Sequence, residues 1–165
     1  AAAMHYQEHE AGYSKQQSTR PQTLAYSLAD SPAGQMAWIV EKYATWTDCM
    51  RDGVRHPENA IERKTLLDIV THYWITNTGG SSAKLYWESF TEGDYRPIAL
   101  PIGLSIFPKE LFVCTERLAR TRYQQLVTFN DQHEAGGHFA SLEQPEALIG
   151  DIRAWRATLQ EQRLI

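Results

Sequence analysis

The chain has 165 residues, with 16 basic against 20 acidic side chains, a net charge of −4, and 42% hydrophobic residues. That length suits one domain with a buried core, and the composition excludes wholesale disorder. The two signs of charge are interspersed, with no lysine- or arginine-rich block, which leaves no electrostatic footprint for nucleic acid.

The longest strongly apolar stretch, "PIALPIGLSIF", falls far short of the roughly 20 residues a bilayer requires. "AAAMHYQEHE" has neither a basic start nor an apolar run, so no secretory leader is expected. Cys49 and Cys114 show no metal-ligand spacing, which suits a reduced, cytoplasmic chain.

The first half reads as helices. "STRPQTLAYSLA" offers Ser18 or Thr19 as N-cap and Pro21 in the first turn, where a missing N–H costs nothing. "DSPAGQMAWIVEKYATW" repeats that grammar with Ser31 and Pro32, then places Met36, Ile39, Val40, Tyr43 and Trp46 at helical spacing. "DGVRHPEN" reads as a turn-rich connection. "IERKTLLDIVTHYWIT" predicts a helix with Leu66, Ile69, Val70 and Tyr73 on its apolar face, ending at "NTGG". "SSAKLYWESF" then starts a new helix on a serine cap.

After Arg96 the texture changes. "PIALPIGLSIF" predicts a strand, "TERLARTRY" a short helix, "QLVTF" a second strand, and "EQPEALIGDIRAWRATLQ" an amphipathic helix. This strand–helix–strand–helix order is that of a parallel α/β sheet. Parallel strands are buried on both faces and need several neighbours. Two strands alone do not make such a sheet, so its remainder is expected outside this chain.

His138 lies after "GG" and before a helix start, beyond the carboxyl end of the second strand, where ligands bind in open α/β sheets. A histidine base needs an acid to fix its tautomer. Glu110, in "FPKEL" after the first strand, can reach it from the adjacent loop. The alternative is that His138 fills a turn and Glu110 caps "LFVC". A nucleophile is missing: no G-x-S-x-G occurs, neither cysteine has an activating context, and Asp94 and Asp131 lie in loops rather than on a strand-to-helix elbow. Tyr13 and Tyr86, in helical segments, could donate to an oxygen that becomes anionic, or could simply pack. His5, His9, His56, His72 and His133 show no metal-ligand pattern.

"GYSKQQSTRPQTLAYSLADSPAGQMAWIVEKYATWTD", "YWITNTGGSSAKLYWE", "LPIGLSIFPKEL" and "GGHFASLEQPEALIGDIRAW" resemble successive blocks of the microsomal-type epoxide hydrolases. The resemblance implies an α/β-hydrolase fold, here the helical lid (1–95) and the last strands and helices of the core (96–165), with the N-terminal half of the core missing. It implies hydrolysis of an epoxide to a vicinal diol with water, without metal or organic cofactor. By resemblance, Tyr13 and Tyr86 are the lid tyrosines that assist ring opening, Glu110 the acid partner and His138 the water-activating base. The family's nucleophilic aspartate, on a "GGDWG"-like elbow, and its "HGWP"-like oxyanion segment are not in this sequence.

The expected partners are therefore an epoxide, water, and the missing N-terminal segment or a complementary chain, with a homodimer left open. By itself the 165-residue chain is expected to be inactive. A non-catalytic module and another α/β-hydrolase acting on esters or haloalkanes are the alternatives. The identity of the epoxide, and a detoxifying or biosynthetic role, are not legible in the sequence.

Overall fold

A computed structural model describes residues 2–89 and 96–165. It divides into two compact units, one of residues 1–45 and 49–93, the other of residues 46–48 and 94–165. Asp94 and Phe90 lie outside the described residues, as does the stretch leading to the expected boundary at 95/96.

The first unit is helical. α1 (Ala2–His5) runs into a π-helical turn (Tyr6–Glu10), followed by α2 (Gly12–Thr19), α3 (Pro21–Asp30) and α4 (Pro32–Trp46). The expected caps divide here. Ser31 Oγ accepts from the Gly34 amide at 3.1 Å, as a side-chain N-cap should. Ser18 and Thr19 do not cap α3. They close α2 instead, donating back to the Lys15 carbonyl, so a hydroxyl just before Pro21 serves the helix behind it.

A short hairpin, β1 (Met50–Arg51) and β2 (Val54–Arg55), follows. Asp52 at φ 51° and Gly53 at φ 77° make its turn, the left-handed pair that matches strand twist. The turn-rich connection read in "DGVRHPEN" thus contains the turn and second strand of a hairpin. After a 3₁₀ turn at Pro57–Asn59 comes α5 (Arg63–Ile75), burying Leu66 and Val70 as its periodicity predicts. Asn77, left-handed at φ 52°, ends α5, with Thr78 N donating to Tyr73 O at 3.1 Å.

α6 (Gly79–Ser89) begins two residues before the expected serine cap. Its glycines are packing positions rather than breakers. The buried Gln35 side chain occupies the space where Gly79 would carry a Cβ, and a Cβ on Gly80 would lie 2.8 Å from Ala25 Cβ on α3. Leu28, Leu66, Val70 and Ala83 fill the core of this unit, at about 1.5–3 kcal/mol for each large apolar side chain buried.

In the second unit β3 (Ile98–Ser105), α7 (Glu116–Arg122), β4 (Tyr123–Asn130), α8 (Ala140–Glu143) and α9 (Pro145–Glu161) follow the expected order. β3 and β4 pair in parallel from Ile98↔Tyr123 to Ser105↔Asn130, with a register shift between Ile102 and Gly103 and another nearer the start. The pairing slips between Ile98 and Pro101, where a proline without an N–H is tolerated. Thr115 caps α7 through Leu118 N. α9 packs on both strands and approaches closely at Gly103, where a Cβ would lie 2.8 Å from Trp155 Cδ1. An apolar groove of about 600 Å³ opens along β3 and α9, lined by Leu100, Ile102, Phe129 and Trp155 among others. Among the described residues, no helix is long and apolar enough to cross a membrane.

Candidate functional site

Because β3 and β4 are parallel and end in register at Ser105 and Asn130, the loops that follow them leave the same end of the sheet. Those loops are bonded to each other: Ile106 N donates to Asn130 O at 2.7 Å, and Lys109 N to Gly136 O at 3.0 Å. Their tips carry Glu110 and His138. His138 Nδ1 lies 2.7 Å from Glu110 Oε1, which also accepts from Leu111 N at 2.6 Å. Glu110 Oε1 is thus shared between the imidazole and the backbone of its own turn.

With the carboxylate facing Nδ1, the proton belongs there and the lone pair belongs on Nε2. The Glu110 hydrogen bond holds His138 above the ordinary histidine range, against the opposing effect of burial, with help from the charges of Glu110 and Glu143. Burial pushes Glu110 upward, but the hydrogen bonds from His138 and Leu111 outweigh it and leave the carboxyl low. The pair is an imidazole poised to take a proton, with an anion behind it to stabilise the cation that results.

Sequence reasoning missed what holds His138 in place. The His138 amide donates to Trp46 O at 2.9 Å, and the Trp46 and Phe139 rings meet the imidazole edge-on at 5.3 and 5.1 Å. Glu143 accepts from Asp48 N at 2.7 Å and from Phe139 N at 3.0 Å, and Asp48 Oδ2 accepts from Gly136 N at 3.2 Å. The two glycines are required for different reasons. Gly136 sits at φ 109°, open only to glycine without strain. At Gly137 a Cβ would lie 2.6 Å from Trp46 O. The signal available in "HFASLE" was a glutamate one turn after a helix start, but not its second partner at Asp48.

In the first unit, α2 and α6 bring Tyr13 and Tyr86 together, ring centroids 5.7 Å apart and edge to face. Tyr6 Oη lies 3.3 Å from Tyr13 Oη, and Lys42 Nζ sits 4.9 Å over the Tyr13 ring. Burial, then hydrogen bonds from Tyr6 and Tyr86, push the Tyr13 phenol far above the usual tyrosine range. It is protonated at ordinary pH and so is available as a hydrogen-bond or proton donor. Tyr13 and Tyr86 thus lie together in the first unit, and His138 and Glu110 in the second.

Asp131 follows β4 in the loop, exposed, and is not on an elbow. Both cysteines are free thiols, Cys49 buried with Sγ 3.2 Å from Ala44 O. Among the described residues, no group of three or more His, Cys, Asp or Glu could hold a metal.

No protein-family model matches the chain. Over 164 residues it is 36% identical to epoxide hydrolase 1 of Sus scrofa, covering 93% of this chain and 35% of that one. The crystal structure of juvenile hormone epoxide hydrolase from the silkworm Bombyx mori superimposes with a TM-score of 0.84 at 30% identity, over 93% of this chain and 41% of that one. The Aspergillus niger epoxide hydrolase structure gives 0.79 at 32% identity, over 94% and 38%. The chain thus spans about a third of the length of the curated relatives it matches.

Proposed function

We propose that this chain, a homologue of the epoxide hydrolases with the α/β-hydrolase fold, supplies the ring-opening donors and the water-activating pair of an enzyme that converts an epoxide to a vicinal diol. The observation that carries the reading is the 2.7 Å contact of His138 with Glu110 at paired strand ends, in a chain related along most of its length to such enzymes.

The reaction proceeds in two steps. An aspartate supplied by the rest of the protein attacks one epoxide carbon, the carbon–oxygen bond breaks, and a tyrosine hydroxyl of the Tyr13–Tyr86 pair protonates the departing oxygen. This leaves a hydroxyalkyl ester. His138 Nε2 then takes a proton from water as that water adds to the ester carbonyl. The tetrahedral intermediate expels the second diol oxygen, which takes the proton of the added hydroxyl and leaves the aspartate as a carboxylate. The proton held on His138 returns through solvent to the tyrosinate left by ring opening. Glu110 holds the imidazole and balances its charge throughout.

The setting we assign is cytoplasmic and the role detoxifying. The free cysteines suit a reducing compartment, and the reaction consumes a reactive electrophile. The test is made on the full-length protein with an aryl epoxide such as styrene oxide. Diol formation in the parent and its loss in His138→Ala, with ester still formed, are expected. Undiminished turnover in His138→Ala would refute the assignment.

A further inference from the structure

We propose that the His133–Asp151 pair is a positioning device for the water-activating step, tying the loop that carries His138 to both strand ends and to the turn that carries Glu110. The proposal rests on the reading of His138 and Glu110 given above.

His133 lies in the same loop as His138, with its side chain only 10% exposed. Its Nε2 is 2.8 Å from Asp151 Oδ2 on α9. Asn130 Nδ2 approaches the same nitrogen at 3.3 Å, but the shorter contact to an anion decides the tautomer, so Nε2 carries the proton. Asp151 gathers two further donors. Ser105 Oγ, at the end of β3, donates to Oδ2, and Asn130 Nδ2, at the end of β4, donates to Oδ1 at 2.8 Å. Burial would push the Asp151 carboxyl up, but these three hydrogen bonds hold it below its ordinary range. One carboxylate thus fastens the ends of both strands and the loop beyond them.

The imidazole face completes the tie. It lies flat on the Phe107 ring, centroids 4.1 Å apart and planes 3° apart. Phe107 is 3% exposed and opens the turn of Glu110, whose amide donates to Phe107 O at 3.2 Å. His133 is therefore bonded to the sheet on one side and stacked on the acid's turn on the other. The Glu110–His138 contact needs that support, because the two side chains are 28% and 39% exposed and water competes for both. A buried His–Asp network is a poor way to gain stability alone, since desolvation offsets most of its attraction. Its distinctive effect is a fixed geometry.

The experiment uses the full-length protein and His133→Phe, which keeps a ring against Phe107 and loses the bond to Asp151. Rapid-quench kinetics with styrene oxide should show ester formation within twofold of the parent and ester hydrolysis slowed roughly 10- to 100-fold, the scale of an ångström-level misplacement. The ester then accumulates, and the downfield NMR signal of the His138 Nδ1 proton weakens through faster exchange. If His133→Phe does not fold, Asp151→Asn carries the same readouts. Equal slowing of both steps in a folded variant, or unchanged hydrolysis, overturns the proposal. If the parent forms no ester from any epoxide, the reading of the site fails instead. The His138 signal then decides positioning, its retention in the variant overturning the proposal and its loss supporting it.

Discussion

His138 Nδ1 and Glu110 Oε1 sit 2.7 Å apart on two loops that leave the same end of a parallel strand pair. The contact shifts the two groups in opposite directions, the imidazole up and the carboxyl down. The stabilisation from His138 is complete below its ordinary pKa and is lost as pH rises through the raised value. That from Glu110 is complete above the ordinary glutamate range and is lost as pH falls through the lowered value. Catalysis has a narrower requirement. In the proposed reaction the base must be neutral, so ester hydrolysis should switch on only as pH rises through the raised His138 pKa, above the ordinary value near 6.5.

Glu110→Gln should therefore do two things in the full-length protein. Without the anion the His138 pKa falls, and the acid limb of the hydrolysis step moves to lower pH. The plateau rate also falls, by roughly 10²- to 10⁴-fold, because the imidazolium loses its counter-charge and its fixed tautomer. Single-turnover rates across pH, with an NMR titration of His138, separate the two effects. A limb that stays put would show that Glu110 does not set the pKa.

Glu143 holds two amides from segments remote in sequence, Asp48 and Phe139. Glu143→Ala leaves both donors without their anion, and hydrogen bonds to charged groups are worth about 1.5–3 kcal/mol each. The half-buried site admits some replacement water, so the expected loss is about 2–4 kcal/mol by urea denaturation. A loss under about 0.5 kcal/mol would mean the carboxylate is only a bystander. Since Glu143 also helps raise His138, the same variant should lower that pKa.

Gly80 presents opposed effects that magnitudes can rank. Alanine is favoured over glycine inside a helix by about 1 kcal/mol, but its Cβ would lie 2.8 Å from Ala25 Cβ. Neither methyl can swing away, so α3 or α6 must shift, at about 1–3 kcal/mol. Gly80→Ala should thus cost up to about 2 kcal/mol. In the Ala25→Gly background the clash is gone, and the same change should be neutral or stabilising. Thermal unfolding of the four proteins in the cycle measures the coupling, and additive effects would contradict the packing role.

Local signals were legible where a residue's partner is near in the chain. Ser31 and Pro32 start α4 because the cap needs only the Gly34 amide. The strand–helix–strand–helix order followed from periodicity and turn residues, and with it the neighbouring placement of Glu110 and His138. Long-range partners were not legible. Nothing in "HFASLE" reveals Asp48, and nothing near His133 reveals Asp151, which reaches it through the fold and also accepts from Ser105. Gly79 and Gly80 look like a break because glycine usually is one. Only the Gln35 and Ala25 side chains explain why they lie inside a helix.

The tyrosine pair makes the last prediction. Tyr13 and Tyr86 stand edge to face at 5.7 Å, so either ring can remain in place when the other loses its hydroxyl. Tyr13→Phe or Tyr86→Phe should slow ester formation roughly 10²- to 10³-fold, the effect of removing one donor from a developing oxyanion. Ester hydrolysis should be untouched, the reverse of the pattern expected at Glu110. Burial and the neighbouring hydroxyls hold the Tyr13 proton well above the usual range, so ring opening should not decline as pH rises through about 10, the ordinary tyrosine value. Rapid-quench measurement of the ester across alkaline pH checks both points. A parent enzyme whose ring opening fails near the ordinary tyrosine pKa would place the donor proton on some group other than Tyr13.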